Sequence, residues 1–522
     1  CRPSPCRGAD VASIVYDDFS GGLDLSRPAN IQPANRFREL KNAYVTPGKA
    51  IRKRHGARYV WSWGPGVKGL FTGPVCLTGF WGDANASVQA VTSSPFVQDS
   101  ARYRTMRLSF GALGGAGNTI ERVHTAFLVA DSMYVVAKTD AGIRHYFGRP
   151  TDVSANRIED ANCPNGPTAI PIASKVFAGD PSGIVRFSKT DDPKDWTAAD
   201  DAGFLPTNRK TRSSNTVVAL GEFDGRLVVS TGDAAQLWDV DPDPAAMAFH
   251  KTIAVGQVAG DTGANVGADL FFLSPSGVRS IVLNTQNANA MDLDVGVPVD
   301  RMAVQFADVQ GVFARFFPSL GQFWLIAGSR ALVYSFSRTA KVYAWSEYTF
   351  PWAIAGAVDF EGAAYLRSTA GDIYRLDDEY GVDDDAQAAV AALGEERDPQ
   401  SWAEWFPLEG RVSPTVRVVS PYFDFKSPAA LKQIHAMDVV ATRGNRTGRF
   451  EVTHRFRSDS GSEVFEAGPI ELSGLPDDSR PQGWIPVGIV APSVAAVIEH
   501  EADEAFELSA LIYHFDNLGV AG

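Results

Sequence analysis

The residues able to do chemistry in this 522-residue chain include eight histidines, four cysteines and an abundance of carboxylates, and their spacing matches none of the common constellations. His55, His124, His145, His250, His435, His454, His500 and His514 form neither H-x-x-x-H nor H-x-H, the spacings that turn two imidazoles toward one metal ion. Cys1, Cys6, Cys76 and Cys163 contain no C-x-x-C pair, so neither a zinc knuckle nor a disulfide framework is expected. Asp239-Val-Asp241-Pro-Asp243 lacks the glycine and closing glutamate of a calcium loop. There is no G-x-x-x-x-G-K-[ST], and the cluster Gly111 to Gly117 has Ile120 where a dinucleotide fingerprint needs its third glycine, so it reads as a loop. Gly179-Asp-Pro-Ser182-Gly183 has the wrong spacing for a nucleophile elbow and suits a hairpin. Ser188 to Trp196, SKTDDPKDW, outlines the S-x-D-x-G-x-x-W turn of sialidases without its glycine and reads as a structural turn. No catalytic residue, cofactor or metal is expected.

One basic cluster stands out: Lys49, Arg52, Lys53, Arg54 and Arg58, on a stretch read as an exposed strand that opens a sheet. Its bland reading is a solvated edge. Its functional reading is a contact with another subunit or an adaptor protein. A grip on nucleic acid is disfavoured, because the whole chain carries a net charge of −13 and phosphate binding needs a large clustered excess of Lys and Arg.

These residues must be positioned by a mostly β framework. Forty-eight glycines and 31 prolines punctuate short apolar runs. HTAFLVA (124–130), MYVVAKT (133–139) and IRHYF (143–147) are three strands joined by Ala-Asp-Ser and Asp-Ala-Gly turns. The same theme returns at Lys175 to Trp196, Val217 to Trp238, Asp269 to Ile281, Phe323 to Trp345 and Tyr365 to Leu376. Recurrent strand–turn–strand units of roughly 40 to 50 residues predict a β-propeller, here of roughly five to seven blades over residues 46–380. Trp196, Trp238, Trp345 and Tyr374 are expected to fill the space between blades. Arg102 to Asn118 reads as a loop, and Pro298 to Val309 as a helix between blades.

Residues 381–411 read as a linker. Asp377, Asp378, Glu379, Asp383, Asp384 and Asp385 suggest a solvated acidic face, and Asp385 is placed to cap an Ala-rich helix ending at Gly394. Seven strands are then expected within residues 412–522, at 416–419, 422–425, 436–441, 449–456, 465–472, 484–490 and 506–514, which predicts a C-terminal β-sandwich. Residues 1–45 form a lead-in with a short helix, in which Pro33 suits the first turn and Phe37, Leu40 and Tyr44 share a face. No signal peptide is read, and loss of an initiator methionine is the expected origin of Cys1. No window reaches the ~20 apolar residues of a membrane-spanning helix.

The lead-in, F-S-G-G-L followed by N-R-F…L-K-N-A-Y-V-T-P-G-K-A-I-R-K-R-H-G, resembles the start of tail nozzle (tail hub, packaged-DNA stabilisation) proteins of short-tailed bacteriophages. The resemblance continues in order through V-R-F-S…D-P-K-D-W, F-D-G-R-L-V-V-S…Q-L-W, D-L-F-F-L-S-P-S-G-V-R-S-I, L-V-Y-S-F-S-R…Y-A-W and G-D-I-Y-R-L-D, and then Y-F-D-F…S-P-A-A-L-K-Q-I and F-E-L-S-A-L-I-Y-H-F. It implies a structural virion protein, made in the host cytoplasm and built into the tail as a homohexameric ring. The ring would contact the portal-adaptor ring and the tail spikes or fibres, while phage DNA passes through the lumen without tight binding. Six copies multiply the −13 charge, which disfavours adhesion of DNA to the wall. The alternative is a tail-associated receptor-binding adhesin or polysaccharide depolymerase on a propeller fold.

Overall fold

The computed structural model describes residues 11–73, 76–81, 87–92, 108–110, 120–148, 154–210, 216–281, 295–393, 410–428, 430–443, 448–457, 463–472 and 485–520. Short antiparallel sheets dominate them, each generated by the turn residues that break the chain every five to eight residues. At the hairpin tip Asp224-Gly225, for example, both residues have positive φ, 52° and 72°, as a two-residue turn between twisted strands requires. Seven such sheets follow one another as blades.

Blade 1 contains Val67–Thr72, Cys76–Trp81, Ser87–Thr92 and Leu108–Phe110; blade 2 contains Ile120–Val129, Ser132–Thr139, Gly142–Gly148 and Ser154–Arg157. The outermost strands of these two blades pair in parallel, so they form one eight-stranded sheet. Blade 3 (Ala169–Ile172, Lys175–Gly179, Val185–Phe187, Gly203–Leu205) and blade 4 (Ala219–Phe223, Arg226–Ser230, Ala235–Asp239, Ala248–Ile253) are regular four-stranded meanders. Blade 5 has three strands, Gly263–Val266, Asp269–Ser274 and Gly277–Ser280, followed by helix α1, Asp300–Ala307. Blade 6 comprises Phe313–Phe317, Gln322–Ala327, Arg330–Ser337 and Val342–Thr349.

Blade 7 closes the circle with strands from both sides of the chain. Ile354–Phe360, Ala363–Ser368 and Asp372–Asp377 supply three, and Gly56–Ser62 pairs antiparallel with Asp372–Asp377 as the fourth. The first strands of successive blades lie side by side, and that of blade 1 lies beside that of blade 7, so the ring is complete. The protein is therefore an all-β protein built on a seven-bladed β-propeller.

Separate apolar clusters fill the spaces between blades. Phe80 meets Met133 and Tyr146 between blades 1 and 2, Phe177 meets Leu227 and Trp238 between blades 3 and 4, and Trp63 with Leu70 meets Phe360 and Tyr365 between blades 7 and 1. Trp196 packs with Tyr134 and Val176 between blades 2 and 3, and Tyr374 with Trp352 and Trp324 between blades 7 and 6, as their positions near strand ends predict. Trp345 instead faces the largest cluster, which runs from blades 5 and 6 into the C-terminal domain. Each buried aromatic removes roughly 150–250 Å² from water, so these seams hold the ring together.

The C-terminal domain is a two-sheet sandwich made by both ends of the chain. One sheet orders Ile485–Ala491, Ala430–Arg443, Phe506–Val520, Ile51–Lys53 and Ala43–Val45, with Ala12–Tyr16 also paired to Phe506–Val520. The other orders Glu39–Lys41, Val416–Val419, Val494–Glu501, Arg449–Arg457 and Val464–Glu471. Glu39–Lys41 also pairs in parallel with the outermost strand of blade 6, at Glu347 opposite Lys41, so a single sheet passes from propeller to sandwich.

Several expectations change. Residues 33–44 form no helix: Arg36–Phe37, Glu39–Lys41 and Ala43–Val45 are short strands. The three-and-four spacing of Phe37, Leu40 and Tyr44 is outweighed by strand partners on both sides, and Asn42, at φ 52°, kinks the segment so that Leu40 and Ala43 are both buried. Ile51–Lys53 is interior to its sheet, not an exposed edge. Residues 422–425 make only an isolated bridge, Phe423 to Val494, while Val494–Glu501 is a strand beyond the seven expected. Helix α1 lies within the segment expected to be helical, and helix α2, Ala386–Leu393, starts where Asp385 Oδ1 accepts from the backbone N–H groups of Gln387 and Ala388, both at 3.1 Å. Gly111 to Gly117, Cys1 and Cys6 lie outside the described residues, and of Arg102 to Asn118, expected to be a loop, the described part, Leu108–Phe110, is the fourth strand of blade 1.

Candidate functional site

The basic run divides into charges the fold consumes and charges it leaves at the surface. Arg54, 2% exposed, is the centre of a buried junction. Its guanidinium forks onto the Asp383 carboxylate, with Nη1 to Oδ1 at 2.8 Å and Nη2 bonded to Oδ2. It also donates to the carbonyls of Thr349 (2.7 Å) and His55 (2.9 Å) and, through Nε, to Asn42 Oδ1 (3.2 Å), and it lies 4.2 Å from the centre of the Phe350 ring. Asn42 in turn donates to the Thr415 carbonyl at 3.0 Å. The lead-in, blade 6, the segment after blade 7 and the first sandwich strands are thus clasped at one point.

Lys53, 3% exposed, donates to the carbonyls of Ala502 and Glu504, and burial followed by repulsion from Arg54 pushes its ammonium down to about 8. Lys53 and Arg54 therefore cannot serve as contacts to another subunit or an adaptor. Lys49 pairs with Asp18 at 2.8 Å, Arg52 lies 3.9 Å from Asp378, and the Arg58 guanidinium lies 5.8 Å from the centre of the Tyr380 ring. Lys49 and Arg52 remain partly exposed.

The acidic stretch is likewise corrected. Asp383 and Asp384 are 1% and 2% exposed, not a solvated face. Asp384 accepts from Tyr380 Oη at 2.6 Å and the Tyr59 N–H at 2.8 Å, and burial raises its carboxyl above the usual range. These carboxylates bind the backbone of the strand that closes blade 7, since Asp383 Oδ1 also accepts from the Ala57 N–H at 3.1 Å.

The remaining sequence features are structural. Ser188 Oγ accepts from the Val176 N–H and donates to the Lys189 carbonyl, both at 3.0 Å, and the Trp196 indole donates to the Pro193 carbonyl at 2.9 Å, so SKTDDPKDW is a structural turn tied to blade 3. Asp243 caps a single 3₁₀ turn, with Oδ1 2.9 Å from the Ala245 N–H. Burial pushes the Cys163 thiol up to about 12, which leaves it unreactive near neutrality. Among the described residues no three His, Cys, Asp or Glu side chains are placed to hold a metal ion.

One chemically mixed concavity is the propeller channel. It encloses about 830 Å³ and is lined by residues from all seven blades, chiefly where the first strands of blades 3 to 6 begin. Apolar walls from Leu70, Phe71, Phe127, Leu220 and Val258 surround four groups able to ionise: Arg122 and His124 of blade 2, Asp261 before blade 5, and Arg315 of blade 6. Arg122 pairs with Asp261. Arg315 donates from Nη1 to the Ala314 carbonyl at 2.8 Å and from Nε to the Ala357 carbonyl at 3.1 Å. Desolvation lowers its pKa, with Asp261 opposing the shift. Burial also holds His124 below the ordinary imidazole range, and its Nε2 is buried without a hydrogen bond among the described residues.

No family model and no curated protein matches this sequence. Among solved structures, a chain of the crystal structure of BamB from Moraxella catarrhalis is 9% identical, over 59% of this chain and 82% of that one, with a TM-score of 0.35. A chain of the crystal structure of the mitotic checkpoint complex is 12% identical, over 64% of this chain and 95% of that one, with a TM-score of 0.37. Both likenesses are loose, and the propeller assignment rests on the closed ring of seven sheets.

The channel cluster was not singled out by motif reasoning, because its members on different blades are 54 to 193 residues apart. One signal is present: Arg122 and His124, and Arg315 in FARFF, are polar residues two apart or alone within the first strand of a blade, where the side chains that face the axis originate.

Proposed function

We propose that the chain is a structural virion protein, a subunit of a phage tail nozzle that retains packaged DNA and passes it during ejection. In this reading it assembles as a homohexamer beneath the portal-adaptor ring, next to tail spikes or fibres, after synthesis in the host cytoplasm. It works through geometry, not catalysis. The observation that carries the reading is the sheet running from blade 6 through Glu39–Lys41 into the sandwich, locked by the Arg54–Asp383 junction. A conduit that withstands packaged DNA needs subunits whose domains do not hinge, and a shared sheet plus a buried clasp supports that. The ordered sequence themes from the lead-in to the C-terminus support it independently.

The propeller channel, at about 830 Å³, matches a small molecule and is far too small for a duplex. The DNA path would therefore lie between subunits. Electron microscopy of the purified protein and of the virion tests the reading: six-fold rings with a central opening are expected. Peripheral trimers, or release of sugar from host polysaccharide, would overturn it in favour of an adhesin or depolymerase.

A further inference from the structure

The charge balance of the channel points to a ligand. Arg122 and Asp261 neutralise each other as an ion pair. Arg315 is left over: its described hydrogen bonds go to two neutral carbonyls, and among the described residues no carboxylate stands at ion-pair distance. Asp261, the carboxylate that acts on it electrostatically, is already committed to Arg122. A half-buried guanidinium lacking a counter-ion is partly desolvated at a cost, and an anion entering from solvent would relieve that cost.

We propose that the propeller channel is a binding site for a small organic anion, one bearing a carboxylate or phosphate group on an apolar body, with Arg315 holding the charge and Arg122 keeping Asp261 from competing for it. The groups come from blades 2, 5 and 6, so the ring fixes their spacing and little ordering is required on binding. The walls at Leu70, Phe71, Phe127, Leu220 and Val258 suit an apolar body beside the charged head. His124 adds a buried ring nitrogen, Nε2, without a hydrogen-bond partner among the described residues, on the same strand as Arg122. This site is independent of the nozzle reading, since it lies within one subunit and leaves the proposed DNA path outside.

The test is calorimetric titration of the full chain with inorganic phosphate and, separately, with succinate, at low ionic strength. Saturable binding of at least one anion at one site per chain is expected, and whichever binds tighter identifies the head group. Arg315→Met should weaken binding about tenfold or more, as loss of a charge-assisted contact does. Arg122→Gln, which alters a half-exposed side chain, should also weaken it, because the freed Asp261 then competes for Arg315. Asp261→Asn should have the opposite effect and tighten binding. Absence of saturation by either anion up to roughly 20 mM, well above the Kd range of a specific site, would overturn the proposal. So would equal affinities in wild type, Arg122→Gln and Asp261→Asn, a comparison that stands even if Arg315→Met does not fold.

Discussion

Replacing Asp383 with alanine removes the carboxylate that meets Arg54 deep in the protein, and the consequence can be sized from the contacts. Arg54 and Asp383 side chains are each 1% exposed, so water cannot replace the lost partner. Breaking a buried ion pair from one side costs about 3–5 kcal/mol, because the remaining charge stays desolvated. The Ala57 N–H also loses its acceptor, but it shares the same carboxylate and its cost is not additive. With an unfolding entropy of about 2.1 cal/mol/K per residue, a chain of this length has roughly 1.1 kcal/mol/K, so the melting temperature should fall by about 3–5 °C if the chain unfolds as one unit. Differential scanning calorimetry at a fixed scan rate measures this. The double variant Arg54→Met/Asp383→Leu, which removes both charges, should recover most of the loss. Lys49→Ala provides the contrast within the same basic run, since its exposed pair with Asp18 is worth less than about 1 kcal/mol. A shift below 1 °C for Asp383→Ala, or a double variant as unstable as the single one, would refute the view that this pair clasps the two domains.

Further outcomes follow from the closing blade and from buried histidines. Gly371, at φ 91°, accepts through its carbonyl from the Trp63 N–H at 2.9 Å, and an added Cβ would press on the Gly64 backbone. Gly371→Ala should cost more than about 2 kcal/mol and expose the Gly56–Ser62 strand to protease, whereas Gly225→Ala, with open space around it, should cost only about 1 kcal/mol. His454 is fully buried in the sandwich beside the Tyr513 ring, and burial pushes it down to about 4. Its folded value lies below the unfolded one of about 6.5, so the unfolded chain binds the extra proton. The neutral-histidine contribution is complete above pH 6.5 and is lost as pH falls toward 4, by about 3 kcal/mol. Thermal melts of His454→Leu between pH 7.5 and 4.5 should show a flatter acid limb than wild type; parallel limbs would exclude this histidine.

What the sequence announced, and what it hid, divides along the range of the interactions. The hairpins of blades 2, 4 and 6 were legible because Asp-Gly and similar tips and their flanking apolar runs lie within a few residues of each other. The lead-in was not. Phe37, Leu40 and Tyr44 have helical spacing, yet their conformation is decided by strand partners at Leu23, Val418 and Arg52, which helical periodicity does not name. The basic run failed for the same reason, since Lys53 and Arg54 look solvent-facing until Asp383 and the Ala502 carbonyl arrive from hundreds of residues away. Val494–Glu501 was passed over because it is buried through six of its first seven positions and so lacks the alternation of a half-exposed strand. The channel cluster needed the ring itself, which alone brings Arg122, Asp261 and Arg315 together.

The strand Gly56–Ser62 has a consequence for how the protein is made. It emerges from the ribosome more than 300 residues before its partner, Asp372–Asp377, and Ala12–Tyr16 waits longer still for Phe506–Val520. Until then these two strands lack their partners, so the ring cannot close before Asp377 has been made and the sandwich cannot finish before Val520. Completion is dominated by distant pairings, which fold slowly. These strands are made well before they are protected, and the cell must keep them from other chains throughout that interval.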